Sequence, residues 1–169
     1  MRLLLILSFI FSLPVMAQVN SMDIETHTLL IEKLELGSSV NKDVSVELRI
    51  ADLYSDRARL KSIEETEKNC KQCMSSNEDR KKAIKVYRSV FNKVDNTQRL
   101  RVFEQITQNL YALGLGVQAD KFGQNIISGK YSKSLKAVAL INRANQKFFK
   151  NKYREALTDY QMVLAKHPG

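Results

Sequence analysis

Between Pro14 and Pro168 the chain contains no proline, and only six glycines occur in its 169 residues. That scarcity excludes collagen-like and linker-rich architectures, and nothing in the proline-free interval forbids long helices. Histidine is also scarce, represented only by His27 and His167. Neither lies in a nucleophile pattern, and a glycine-rich phosphate loop and a paired-carboxylate context are missing as well. No catalytic constellation and no cofactor is therefore expected, and the chain is read as a non-enzyme. Cysteine is limited to Cys70 and Cys73, in Cys-Lys-Gln-Cys. A zinc site would need two further ligands, and both histidines are distant in sequence. A redox motif would need a strand-to-helix junction beneath it, and the chain offers no strand there. Sustained alternation of apolar and polar residues is absent too. Apolar residues recur three and four apart, so the mature chain is read as all-α.

The one long apolar run is Leu3 to Leu13, preceded by Arg2 and followed by Val15-Met16-Ala17 before Gln18. That order of charge, apolar stretch and small-x-small reads as a secretory signal peptide over residues 1–17, shorter than the roughly 20 residues a membrane span needs. Cleavage is expected before Gln18. No cysteine follows it, so lipid anchoring is not indicated, and nothing downstream could cross a bilayer. A periplasmic or secreted location follows. In an oxidising compartment Cys70 and Cys73 read as a local disulfide at the end of a long helix, with free or partner-linked thiols as the alternative. The formal charge of +9 falls by one when Arg2 leaves. A basic excess suits nucleic acid, an anionic surface, or solubility alone, and export argues against nucleic acid.

The first helix, within 18–41, is expected from about Asp23 to Leu36, with Leu30 and Leu34 on one face and Gly37 as its stop. A second begins near Asn41 or Asp43, runs on Val46, Ile50, Leu53, Tyr54 and Ala58, and continues towards Asn69. Ser75 and Glu78 form a Ser-x-x-Glu capping box before the stripe Ala83, Ile84, Tyr87, Val90 and Phe91. Asp95 and Gln98 cap the next helix, whose face is Val102, Phe103, Ile106, Leu110 and Tyr111. Gly114 and Gly116 mark a turn, Ala119, Phe122, Ile126 and Ile127 follow, and Gly129 is the expected end.

Three helix pairs emerge: 42–95, 96–133 and 134–169. In the last, Ala144 is the small residue of the first helix, Tyr153 opens the turn, and Ala156, Tyr160, Val163 and Pro168 complete the second. The middle pair matches this layout through Phe103, Ile106, Leu110, Gly114, Ala119 and Ile126. The first matches through Ile50, Ala51, Tyr54, Ala83, Tyr87 and Val90, with an insertion of about 20 residues between Tyr54 and Ala83. Residues 44–169 thus resemble the tetratricopeptide repeat family, whose unit is roughly 34 residues. Two departures stand out: Arg143 and Lys147 occupy places where that family carries an apolar residue and an aromatic.

The resemblance implies an α-solenoid of tandem antiparallel helix pairs, an exported bacterial scaffold that binds a partner protein's segment in a concave groove. The groove lining it implies is Arg101, Glu104, Gln108 and Tyr111 in the middle pair. In the last pair it is Val138, Ile141, Asn145, and Phe148 or Phe149. Asn142 and Asn145 resemble a carboxylate clamp found in some members, but Glu104 stands where a lysine would be required, so no clamp is expected. Arg80, Lys81, Lys82, Lys85 and Arg88 form a basic patch, with Lys81, Lys85 and Arg88 on one helix face. Its bland reading is a solvated surface. Its functional reading is a dock for an acidic partner, which leaves a module binding nucleic acid or anionic glycan as the rival function. Leu157, Val163 and Leu164 would be left under-covered at the C-terminal end, so self-association or a continuing repeat is expected there.

Overall fold

The computed structural model describes residues 23–40, 42–70, 73 and 75–166. The expected signal peptide, its cleavage site and the closing Pro168 lie outside the described residues. The chain is all-α, with helices α1 (Ile24–Val40), α2 (Val44–Glu67), α3 (Ser75–Val90), α4 (Asn96–Ala112), α5 (Gly116–Ser128), α6 (Lys133–Phe149) and α7 (Tyr153–Lys166). No strand occurs among the described residues. Each helix packs on its successor, and α4 also packs directly on α6.

Local chemistry sets most helix ends. Asp43 accepts from the Ser45 amide and Asp95 from the Gln98 amide, each at 2.8 Å, which satisfies donors that the first helical turn leaves unpaired. The helices α2, α4 and α6 all close in one way. The second residue past each helix, Asn69, Gly114 and Asn151, has positive φ. Its amide donates three residues back, and the next amide donates five residues back: Cys70 to Glu65, Leu115 to Leu110, Lys152 to Lys147. That is a Schellman ending, in which a left-handed residue folds the chain back on its own helix. Glycine and asparagine are the residues that tolerate this backbone.

One expected boundary and one expected cap are different in the structure. The first helix runs through Gly37 to Val40; a glycine facing open space costs a helix only about 1 kcal/mol, too little to end it. The start of α3 is capped from outside. Glu65 of α2 accepts from the hydroxyls of Ser75 and Ser76 and from the Ser76 amide, at 2.6 to 3.1 Å. Burial pushes the Glu65 carboxyl up, but these bonds outweigh it and hold the group below its usual range. A carboxylate at a helix N-terminus is also favoured by the helix dipole.

Ala51, Ala58, Ala83, Ala119, Ala139, Ala144 and Ala156 are all buried. Ala51, Ala83, Ala119 and Ala139 lie in one hydrophobic core with large apolar side chains from α1 to α6. Ala156→Leu is therefore expected to overpack the α6–α7 contact and cost about 1–3 kcal/mol, read as a lower thermal midpoint. An unchanged midpoint would mean that the two helices separate freely.

Candidate interaction surface

Helices α4 and α6 carry the residues expected to line a groove. Side chains of α2 and α4 form a polar bridge between the two helices. Asp52 accepts from the Tyr87 hydroxyl at 2.6 Å and from Arg101 Nη1 at 2.9 and 3.0 Å. Ser55 donates to Gln105 at 3.3 Å and accepts from Asn109 Nδ2 at 2.9 Å. Arg101 is thus anchored at its tip while its side chain remains half exposed. Gln108 of α4 and Ile141 of α6 are exposed. Burial, and then donation to Asp52, push the Tyr87 hydroxyl well above its ordinary ionisation range.

Tyr111 and Asn145 are engaged inside their own helix pairs. The Tyr111 hydroxyl donates to Asp120 of α5 at 2.8 Å, and its ring lies against the turn, 3.6 Å from where a Gly116 side chain would begin. Asn145 accepts from the Tyr160 hydroxyl at 2.5 Å. This contact repeats Tyr87–Asp52. In each pair the acceptor follows the small residue of the first helix (Ala51, Ala144), and the tyrosine lies one turn after that of the second (Ala83, Ala156). The middle pair carries Gly123 in place of the tyrosine, and the Phe103 ring lies beside it.

Phe148 and Phe149 behave differently. They are 50% and 77% exposed, at the α6–α7 corner. The two rings meet edge to face at 6.0 Å, and Phe148 meets Tyr153 likewise at 5.2 Å. Tyr153 is also exposed, and its hydroxyl donates to Asn151, the left-handed residue of the turn. Sequence periodicity places Tyr153 at the opening of the turn but not on the surface. Three clustered exposed rings are an uncommon use of apolar area in a folded chain.

Within the basic patch, Lys81, Lys82, Lys85 and Arg88 are exposed, and Lys82 lies 5.3 Å from the centre of the Tyr54 ring. Arg80 is half-buried; burial lowers its guanidinium below the ordinary range, with partial compensation from Glu65. Lys82 and Lys85 face a recess of about 550 Å³ between α1, α2 and α3, shared with Lys42, Glu35, Glu47 and Tyr54. Cys70 and Cys73 are joined by a disulfide just past α2, with Cα atoms 5.5 Å apart.

Among the described residues no cluster of three or more His, Cys, Asp or Glu could hold a metal ion, and no helix is long and apolar enough to cross a membrane. No family model, curated protein or solved structure matches the chain.

Proposed function

We propose that this chain is a non-catalytic interaction scaffold of tetratricopeptide type, exported to a bacterial envelope, that grips a segment of a partner protein along α4 and α6. The observation that carries this reading is the exposed aromatic corner of Phe148, Phe149 and Tyr153, with the exposed Ile141 two helical turns before Phe148 on α6. Rigid aromatic anchors flanked by polar groups are what a protein segment binds best. The tandem arrangement is supported by the three identical Schellman endings and by the Tyr87–Asp52 and Tyr160–Asn145 contacts at equivalent places. Direct packing of α4 on α6 would set their outward residues side by side.

The test is recovery of the partner from the native envelope, read by mass spectrometry, with Phe148→Ser/Phe149→Ser as the comparison. Because both rings are exposed, the variant should stay within about 0.5 kcal/mol of the parent in stability. Its loss in binding should be at least about 2 kcal/mol, enough to abolish capture. Undiminished capture would remove the aromatic corner from the interface. The rival reading, an acidic-polymer module working through the lysines of α3, is favoured only by their exposure. It requires binding that collapses between low and moderate salt, whereas aromatic capture would persist.

A further inference from the structure

A second recess lies between α3 and α5, away from the α4–α6 surface, and differs chemically from the first. Its volume is about 450 Å³, within the range of recesses that hold small ligands or a few residues of peptide. The floor is aromatic. Phe91 meets Phe122 at 5.3 Å and Tyr131 at 6.0 Å, with the ring planes inclined by 65° and 61°. The rim carries two cations, Arg88 at the end of α3 and Lys121 on α5, and three side-chain amides, Asn92, Gln118 and Asn125. No carboxylate lines it, whereas the recess between α1, α2 and α3 carries Glu35 and Glu47. Among the described residues neither Arg88 nor Lys121 is in an ion pair.

The floor is built on the buried ring of Phe91, with Phe122 and Tyr131 packed against the core around it. Tyr131 lies so close to the backbone of Gly129 that a side chain there would begin 2.9 Å from its ring and 2.7 Å from the Asn125 carbonyl. The backbone carbonyl of Asn125 leaves room only for glycine at 129, which lets the chain bring Tyr131 up beside Phe91.

We propose that this recess binds an acidic peptide segment in which a large apolar or aromatic side chain is flanked by carboxylates. Each group matches one part of such a ligand. The two unpaired cations take carboxylates through charge-assisted hydrogen bonds. The amides present a donor and an acceptor together, as a peptide group requires of its partner. The steeply inclined rings form a creased floor. A crease receives the edge of an apolar side chain, whereas the flat face of a sugar needs a level platform. Lys81 and Lys85 continue the positive row from Arg88 along one face of α3, so flanking acidic residues meet further cations.

The probe is acetyl-Glu-Phe-Glu-Glu-amide, titrated into the ¹⁵N-labelled chain by NMR. Saturable shifts are expected in the side-chain amides of Asn92, Gln118 and Asn125 and in the backbone signals of Arg88, Lys121 and Tyr131. Glu→Gln and Phe→Ala versions of the peptide should each bind about tenfold more weakly, as should Arg88→Gln/Lys121→Gln protein with an otherwise unchanged spectrum. Phe148→Ser/Phe149→Ser should leave this binding intact, which separates the site from the α4–α6 surface. The assignment is overturned if no saturable shift occurs at millimolar peptide, or if the shifts centre on Lys42 and Lys82. Indifference to the Arg88/Lys121 change would also overturn it. So would tighter binding of an oligogalacturonate of equal charge, which would make the ligand a glycan.

Discussion

Replacing Tyr87 with alanine is expected to lower the stability of the chain by about 3–5 kcal/mol, as for other fully buried aromatic side chains. Tyr87 has no exposed surface, and it fills the junction between α3 and α2. Its hydroxyl also donates to Asp52, which Arg101 of α4 holds from the other side, so one ring ties three helices together. Tyr87→Phe keeps the ring and removes only the hydrogen bond. Because Arg101 still pairs with Asp52, that change should cost about 1.5 kcal/mol, the low end for a bond to a charged group. The repeat pattern alone would put Tyr160→Ala in the same class as Tyr87→Ala. Tyr160 is only partly buried, however, so its removal leaves a dent open to water and should cost less. Urea unfolding followed by circular dichroism orders the three variants. A larger effect at Tyr160 than at Tyr87 would contradict the burial on which the ranking rests.

Helical class was legible because it depends on periodicity, which a single sequence carries in full. The buried stripe Ala83, Ile84, Tyr87, Val90 and Phe91 could be read directly from its spacing. Features that depend on a second helix were not legible. The Ser75–Glu78 spacing suggests a self-contained cap, yet the carboxylate at that helix start is Glu65, placed there by the antiparallel return of the chain. Gly37 reads as a stop because glycine accepts the left-handed residue that ends many helices, but its φ is not positive and α1 runs on to Val40. The departures at Arg143 and Lys147 have a partner invisible in the sequence. Both bind Asp159 of α7, at 2.7 and 2.8 Å. The same limit applies to the surface. Spacing assigns Tyr111 and Asn145 to a helix face but does not show that Asp120 and Tyr160 claim their polar atoms. Exposure of Phe148 and Phe149 follows from their position at the corner, where no later helix among the described residues covers them.

Asp79→Ala is expected to be as damaging as Tyr87→Ala, by an electrostatic route. Asp79 is 2% exposed and accepts two hydrogen bonds from Arg57, at 2.7 and 2.8 Å. Lys61 adds a contact at 2.9 Å, and Arg57 donates its remaining arm to the Thr28 hydroxyl of α1. Arg57 is itself buried. Deleting the carboxylate would leave a guanidinium in the interior without a counter-ion, a change that costs about 3–5 kcal/mol in other proteins. Asp79→Asn should lose nearly as much, since it keeps the shape and removes the charge. At Asp159 the partners Arg143 and Lys147 retain access to water, so water can solvate what that deletion leaves behind, and the loss should be smaller. Acid should reproduce the effect in the parent chain. Burial opposes ionisation of Asp79, but the hydrogen bonds and charges of Arg57 and Lys61 outweigh it and hold the carboxyl below its ordinary value; Arg143 and Lys147 do the same for Asp159. A depressed native value means that the unfolded chain takes up protons first as pH falls. The stabilisation is therefore fully present above about pH 4, where an unfolded aspartate ionises, and is lost as pH drops through the lower native value. Unfolding free energy measured from pH 6 down to pH 2 should fall less steeply in Asp79→Ala than in the parent. Identical slopes would show that Asp79 ionises no more readily in the fold than in the unfolded chain, and the buried ion pair would then contribute nothing to stability in acid.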